Sequence, residues 1–241
     1  MNRDTFFAAL RARGDRLLGR SLDQRQVEGI EALLDAGADL PAAHMANVLA
    51  QVTRETGGGM YPVKETVYRY STDKNPSDAT VIVRLDQAFA KGQLSWVKTP
   101  YWRGGYFGRG QIQATHEDNY RKLSPVVGVD LVKDPSRALE LPISARIAVE
   151  GMRRGMFTGK KLADYDGALY RHEEARAIVN GDGNKRDKGA TLTVGQTIAR
   201  HAEMYESALL EAGWGAEPEP QYSGLSAIIA ALVAALFRRT K

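Results

Sequence analysis

Three consecutive glycines, Gly57, Gly58 and Gly59, followed by Pro62, interrupt a first half that otherwise reads as helix. Glycine costs a helix interior about 1 kcal/mol relative to alanine and proline about 3 kcal/mol, so no helix crosses this stretch. The preceding helix must stop there and the chain must turn back. Upstream, apolar residues recur at helical spacing. Residues 4–18 read as a helix stopping near Gly19. Ser21 and Gln24 have capping-box spacing, and the helix they open carries Val27, Ile30, Leu33 and Leu34 on one stripe before Gly37 closes it. Asp39 is the expected next N-cap, with Pro41 in the first turn. The third helix places Met45, Val48, Leu49 and Val52 on one face and runs into the glycines.

Beyond them, Val63–Tyr70 suits a short strand or extended loop. A helix from Ser77 buries Val81, Leu85, Ala88 and Phe89 and stops at Gly92. Residues 93–114, rich in Gly, Trp and Tyr, read as a structured loop. Thr115 with Asp118 is expected to cap a short helix. Residues 135–157 read as helical with a break at Pro142, and 171–179 as a further helix ending in the polar loop 180–190. A last helix carries Ile198, Ala202, Tyr205 and Leu209 and ends at Gly213. The expectation is a mainly α domain over 1–214, a linker over 215–224 (Gly-Ala-Glu-Pro-Glu-Pro at its start), and an apolar helix over 225–241.

Composition narrows the function. At 43% hydrophobic and 26% charged, the 241 residues support a real core and exclude wholesale disorder. With no cysteine, a thiol nucleophile and a Cys-ligated metal are excluded. The four histidines form no metal motif, and no cofactor is expected. The serines lack a nucleophile-elbow context. The net charge of +4 is spread rather than clustered, so no nucleic-acid partner is expected. Such a mildly basic surface favours polyanionic material, of which bacterial cell wall with its muramyl carboxylates is one example.

Glu55 extends the stripe Met45, Val48, Val52 by one more step. A carboxylate on an apolar helix face is desolvated, which favours its protonated form and suits a general acid. The alternative is a last-turn glutamate that bends into water. Glu65 is its candidate partner. On one continuous helix, ten residues would separate the two by roughly 15 Å, but the glycine break lets the chain fold back. Inverting glycosidases hold two carboxylates about 6.5–9.5 Å apart with a water between them; the alternative is a solvated surface pair. Tyr106-Phe107-Gly108-Arg109-Gly110-Gln111-Ile112-Gln113-Ala114-Thr115, with Asn119-Tyr120, supplies amides and hydroxyls suited to sugar groups. Trp96, Tyr101, Trp102 and Tyr106 either stack on pyranose rings or belong to the core.

Three segments carry a resemblance: Thr53-Arg54-Glu55-Thr56-Gly57-Gly58, the 106–120 segment, and Ile178-Val179-Asn180-Gly181-Asp182-Gly183. In order and spacing they look like the signatures of glycoside hydrolase family 19, which contains chitinases and many phage endolysins; the match spans about residues 22–212. The resemblance implies a lysozyme-like, bilobal helical domain with a small β element and a central cleft. It also implies inverting hydrolysis of a β-1,4 bond in an N-acetylated glycan. It makes Glu55 the general acid and Glu65 the base, with Thr66 as a helper and Thr115 positioning the water. Tyr106, Arg109, Gln113, Asn119, Tyr120 and Asn180 then fall at substrate-binding positions. Where the family commonly has histidine before the acid, this chain has Arg54. Adjacent helical residues do not face each other, so Arg54 is expected to point away from Glu55.

The expectation is therefore a monomeric phage-type endolysin, a muramidase acting on peptidoglycan strands, with a chitinase or a non-catalytic wall-binding module as alternatives. The N-terminus has no signal-peptide pattern, so synthesis in a host cytoplasm and action on the wall after release are expected. In the tail, Leu225, Ile228, Ile229, Leu232, Val233 and Leu236 form a helical stripe followed by Arg238, Arg239 and Lys241. Thirteen residues make a helix of about 20 Å, too short to span a bilayer. The stripe is expected either to contact anionic membrane or to dock on protein.

Overall fold

The computed structural model describes residues 1–13, 18, 21–67 and 72–215. The expected linker beyond Gly215 and the apolar segment 225–241 lie outside the described residues. Among the described residues there are seven α-helices: α1 (Arg3–Ala12), α2 (Gln24–Ala36), α3 (Ala42–Glu55), α4 (Asp78–Ala90), α5 (Glu117–Val127), α6 (Leu141–Arg154) and α7 (Val194–Glu211). The only described sheet is a two-stranded antiparallel pair, β1 (Val63–Lys64) and β2 (Arg109–Gly110), with Val63 opposite Gly110 and Lys64 opposite Arg109. The fold is mainly α with a small β element, as expected.

Helix α3 is the centre. Every residue from His44 to Thr53 is buried, and its most extensive contact is with α7. The expected stripes, Met45/Val48/Leu49/Val52 on α3 and Ile198/Ala202/Tyr205/Leu209 on α7, meet in the main core. Helices α1, α2 and α6 complete that core, with Trp214 closing it by donating from Nε1 to the Leu40 carbonyl at 2.8 Å. Two smaller apolar clusters flank the β pair. One joins α5 to Ala138 and Ile147; the other joins Val81 and Leu85 of α4 to Trp102 and Phe107.

Several boundaries differ from the sequence reading. Asp23 rather than Ser21 caps α2, and Gln26 completes a reciprocal box. Pro41 is the N-cap of α3, and Asp39 instead pairs with Arg153 of α6 at 2.5 Å; a long-range cation displaced the local cap. Helix α5 begins after His116, with no side-chain cap, so Thr115 and Asp118 do not form the expected one. Residues Pro135–Leu139 and Glu174–Ile178 form 3₁₀ turns rather than α-helix. Helix α1 covers Arg3–Ala12; residues 14–17 of the expected helix and its stop at Gly19 lie outside the described residues. The cap at Ser77, the stop at Gly37 and the left-handed Gly92 after α4 are as expected.

Candidate functional site

The glycine break does what its sequence implied. Helix α3 ends at Glu55, and Gly57 and Gly58 adopt φ of 62° and 84°, the left-handed region that side-chain-bearing residues avoid. The turn is closed by Gly58 N–H donating to the Thr53 carbonyl at 2.7 Å and Met60 N–H donating to Thr56 Oγ1 at 2.9 Å. The returning chain enters β1, and Glu65 follows directly. Two glutamates are thereby set on different elements on either side of one tight turn.

Glu65 is held at both oxygens. Tyr101 donates its hydroxyl to Oε1 at 2.7 Å, and Gly108 N–H donates to Oε2 at 2.8 Å. A second backbone bond, Glu65 N–H to the Gly108 carbonyl at 2.7 Å, fixes the Cα as well. Burial and the Glu65 charge push the Tyr101 hydroxyl well above the usual tyrosine range, so it stays a donor to the carboxylate. Gly108 is where the parts converge. A Cβ there would lie 2.8 Å from Gln113 Oε1, 3.3 Å from Glu65 Cβ and 3.3 Å from Thr115 Cγ2. Only a glycine lets those three approach the same backbone point. Glu65 and Thr66 border a cavity of about 420 Å³, and Thr115 with Tyr101 borders another of about 610 Å³; Trp96, 74% exposed, stands at both.

Glu55 sits in a different setting from the apolar one expected. Arg176 Nη1 donates to its Oε1 at 2.6 Å, with the Glu55 side chain 16% exposed. Arg176 is itself buried. It also donates from Nε and Nη2 to Asp182 at 2.6 and 3.3 Å, and from Nη1 to Gln51 at 3.0 Å. Burial disfavours the guanidinium charge, but Asp182 and Glu55 more than offset it and raise the Arg176 pKa. For Asp182, burial raises and the Arg176 hydrogen bonds lower; the net direction is down. Arg54 points away from Glu55 as expected: its guanidinium pairs with both oxygens of Asp187, at 2.5 and 3.0 Å.

Because the folded pKa of Asp182 lies below the unfolded carboxylate value of about 3.9, its contribution to stability is complete above that pH. The contribution is lost as pH falls through the folded value. The Tm difference between wild type and Asp182→Asn is therefore expected to be full at pH 7 and to close on acidification below about pH 4. A difference independent of pH would show that the charge of Asp182 contributes nothing.

The remaining expected residues divide. Gln113 donates to the Val63 and Gly110 carbonyls at 2.9 and 3.1 Å, which ties the 106–115 segment to β1. Asn119 donates to the Thr115 carbonyl at 2.7 Å and is half-buried. Asn180 is exposed and shares a cavity of about 270 Å³ with Arg176. Arg109 and Tyr120, expected at substrate-binding positions, are turned inward. Both are buried, so neither offers a donor to a ligand in solvent. Arg109 spans Asp78, the Gly105 carbonyl and the Tyr120 hydroxyl, with its guanidinium 3.7 Å from the Phe107 ring centroid. Burial pushes the Tyr120 hydroxyl up to about 12. These two residues stiffen the loop that carries Gly108. Tyr106 likewise spends its hydroxyl on the Val132 carbonyl at 3.2 Å, and Trp102 belongs to the core while Trp96 does not.

Other acids near the expected base are committed elsewhere. Asp78 pairs with Lys64 and Arg109, Asp86 with Trp102 and Arg103, and Asp73 with Arg84. No group of three or more His, Cys, Asp or Glu suited to a metal ion occurs among the described residues. No described helix is long and apolar enough to cross a membrane. Sequence reasoning missed Arg176 as the partner of Glu55. Asp182 did lie in a quoted segment, but an arginine 121 residues from Glu55 leaves no periodic signal that the two will meet.

No family model matches the sequence, and no curated protein matches it. Among solved structures, the chain is similar to chitinase C from Streptomyces griseus, at 18% identity and a TM-score of 0.44, covering 88% of this chain and 79% of that one. It is also similar to a point mutant of a chitinase C, at 15% identity and a TM-score of 0.43, covering 88% and 94%. A third similar structure is a bacterial family 19 chitinase, at 19% identity and a TM-score of 0.40, covering 89% and 95%.

Proposed function

We propose that this chain is a glycoside hydrolase that cuts the glycan strands of peptidoglycan with inversion, a muramidase of the endolysin kind. The observation that carries the reading is the pair of glutamates on either side of the glycine turn, each immobilised by its own donors. Glu65 accepts one hydrogen bond at each oxygen, which orients the carboxylate and leaves its remaining lone pairs for a water. In the mechanism it acts as general base, with Thr115, in van der Waals reach of the same Gly108, steering that water. Glu55 is the general acid. Arg176 gives Asp182 two bonds and Glu55 one, and that single bond at Oε1 orients the Glu55 carboxyl and leaves its other oxygen for the sugar. Glu55 gives a proton to the leaving sugar oxygen as water attacks the opposite face of the ring. The net charge of +4 favours a substrate bearing muramyl carboxylates. In this reading the protein is made in a host cytoplasm and meets its wall substrate on release.

The test is muropeptide analysis by mass spectrometry after digestion of purified sacculi. New reducing ends on N-acetylmuramic acid are the expected result. Turnover of chitin oligomers with intact sacculi would make the enzyme a chitinase instead, and no change in either polymer would leave only a wall-binding role.

Glu65→Gln is expected to lower turnover by about 10²-fold or more while leaving substrate binding in place, because the amide cannot accept a proton. A fully active Glu65→Gln would remove Glu65 as the base, and the ion-paired Asp73, Asp78 and Asp86 would offer no ready substitute.

A further inference from the structure

Helix α3 carries a polar line down one face, Asn47 and Gln51 buried in the main core and Glu55 partly exposed at its end. Its hydrogen bonds have a single possible direction. Gln51 touches a group that can only donate, Arg176 Nη1 at 3.0 Å, and a group that can only accept, the Ala175 carbonyl at 3.0 Å. Its Oε1 must therefore face Arg176 and its Nε2 must face Ala175. That same Nε2 reaches Asn47 at 3.3 Å, so Asn47 presents Oδ1 to Gln51. Asn47 is left to donate from Nδ2 to His172, whose Nδ1 lies at 3.3 Å and whose carbonyl oxygen lies at 3.5 Å. The tautomer that suits both ring contacts accepts at Nδ1 and donates from Nε2 to Glu206 Oε2 at 3.2 Å. Donation runs one way from Arg176 through Gln51, Asn47 and His172 to Glu206.

From this directed chain we infer that Gln51 is a positioning residue, with Asn47 and His172 behind it: it holds Arg176 Nη1 on Glu55. Nη1 is the only guanidinium nitrogen that reaches Glu55, while Nε and Nη2 serve Asp182. Without an acceptor at Gln51, Glu55 alone holds Nη1 from the α3 side, and the guanidinium is drawn toward Asp182, which already takes its other two nitrogens. Glu55 then holds its cation less firmly. The charged group that faces Glu55 is Arg176, with Asp182 beyond it; Arg54 is next in the chain but is turned to Asp187, and both act on Glu55 only at longer range. Of these, only Arg176 is reached by the chain. The inference rests on the acid role proposed for Glu55 for its effect on turnover, but not for its effect on the carboxyl group itself.

The test reads both. In the full-length, ¹³C-labelled protein the Glu55 carboxyl signal, assigned by its loss in Glu55→Gln, is followed against pH in wild type, Gln51→Leu and Gln51→Met. Gln51→Leu removes the acceptor for Nη1. Gln51→Met removes it too while keeping an unbranched side chain of similar length and no charge, and it serves if the leucine variant fails to fold. In each folded variant the Glu55 midpoint is expected to move to higher pH than in wild type, because an acid that holds its cation less firmly is harder to ionise. On a soluble glycan oligomer, kcat is expected to fall by up to about 10²-fold with KM unchanged. An unmoved Glu55 midpoint in a folded variant overturns the inference even if the wild type is an active hydrolase. A moved midpoint in a protein without hydrolytic activity upholds the positioning and sinks the proposed function instead.

Discussion

Glu55→Gln is expected to reduce glycan hydrolysis by about 10²–10⁴-fold, the usual worth of a positioned general acid, while Tm changes little. Glutamine keeps the size and retains an oxygen that accepts from Arg176 Nη1, now at 2.6 Å from the carboxylate. It removes only the proton that leaves with the sugar oxygen. The rate of turbidity loss from purified sacculi, with Tm measured on the same samples, separates chemistry from folding. Near wild-type clearance would take Glu55 out of the reaction, and equal losses of activity and Tm would reduce it to a structural ion pair.

The largest effect on stability is expected from Arg176→Met. The side chain is buried, and it balances two carboxylates that are themselves 16% and 18% exposed. Removing one partner of a buried ion pair costs about 3–5 kcal/mol. The exposed fraction of Glu55 and Asp182 returns some hydration, which places the expected loss near the lower end, about 3 kcal/mol. For a chain of this size that is a fall in Tm of about 6–12 °C. Loss of activity should accompany it, because Glu55 is no longer held. The deficit should shrink in acid, where both carboxylates are protonated in wild type and variant alike. A variant that melts within a degree or two of wild type at pH 7 would show that the buried cluster costs as much to desolvate as it returns.

How far the sequence carried the site depends on the range of the interaction concerned. Glu55 and Glu65 were legible because local rules place them: a 3.6-residue stripe ending at three glycines, then a return into an extended segment. Gln113, Thr115 and Asn119 were legible as a polar run, and the structure puts Gln113 and Thr115 beside Gly108 with Glu65. Arg109 and Tyr120 belong to the same run, yet both are buried and hold the loop from beneath. Composition does not tell an arginine that reaches solvent from one that lies over the Phe107 ring.

The sequence by itself determined the helical class, the stripes on α3 and α7 that form the main core, the stop at Gly37, the cap at Ser77 and the reversal after Glu55. These follow from backbone preference and periodicity, which act within a few residues. Tertiary structure alone decided the rest. It replaced the Asp39 cap with an ion pair to Arg153, 114 positions away. It turned the expected α-helix at 171–179 into a 3₁₀ turn that carries Arg176 toward α3. It gave Glu55 a cation from a position 121 residues distant. A buried charge is tolerated only with a partner of opposite sign at hydrogen-bond range, and the partner is chosen by which elements pack together rather than by which residues are neighbours in the chain.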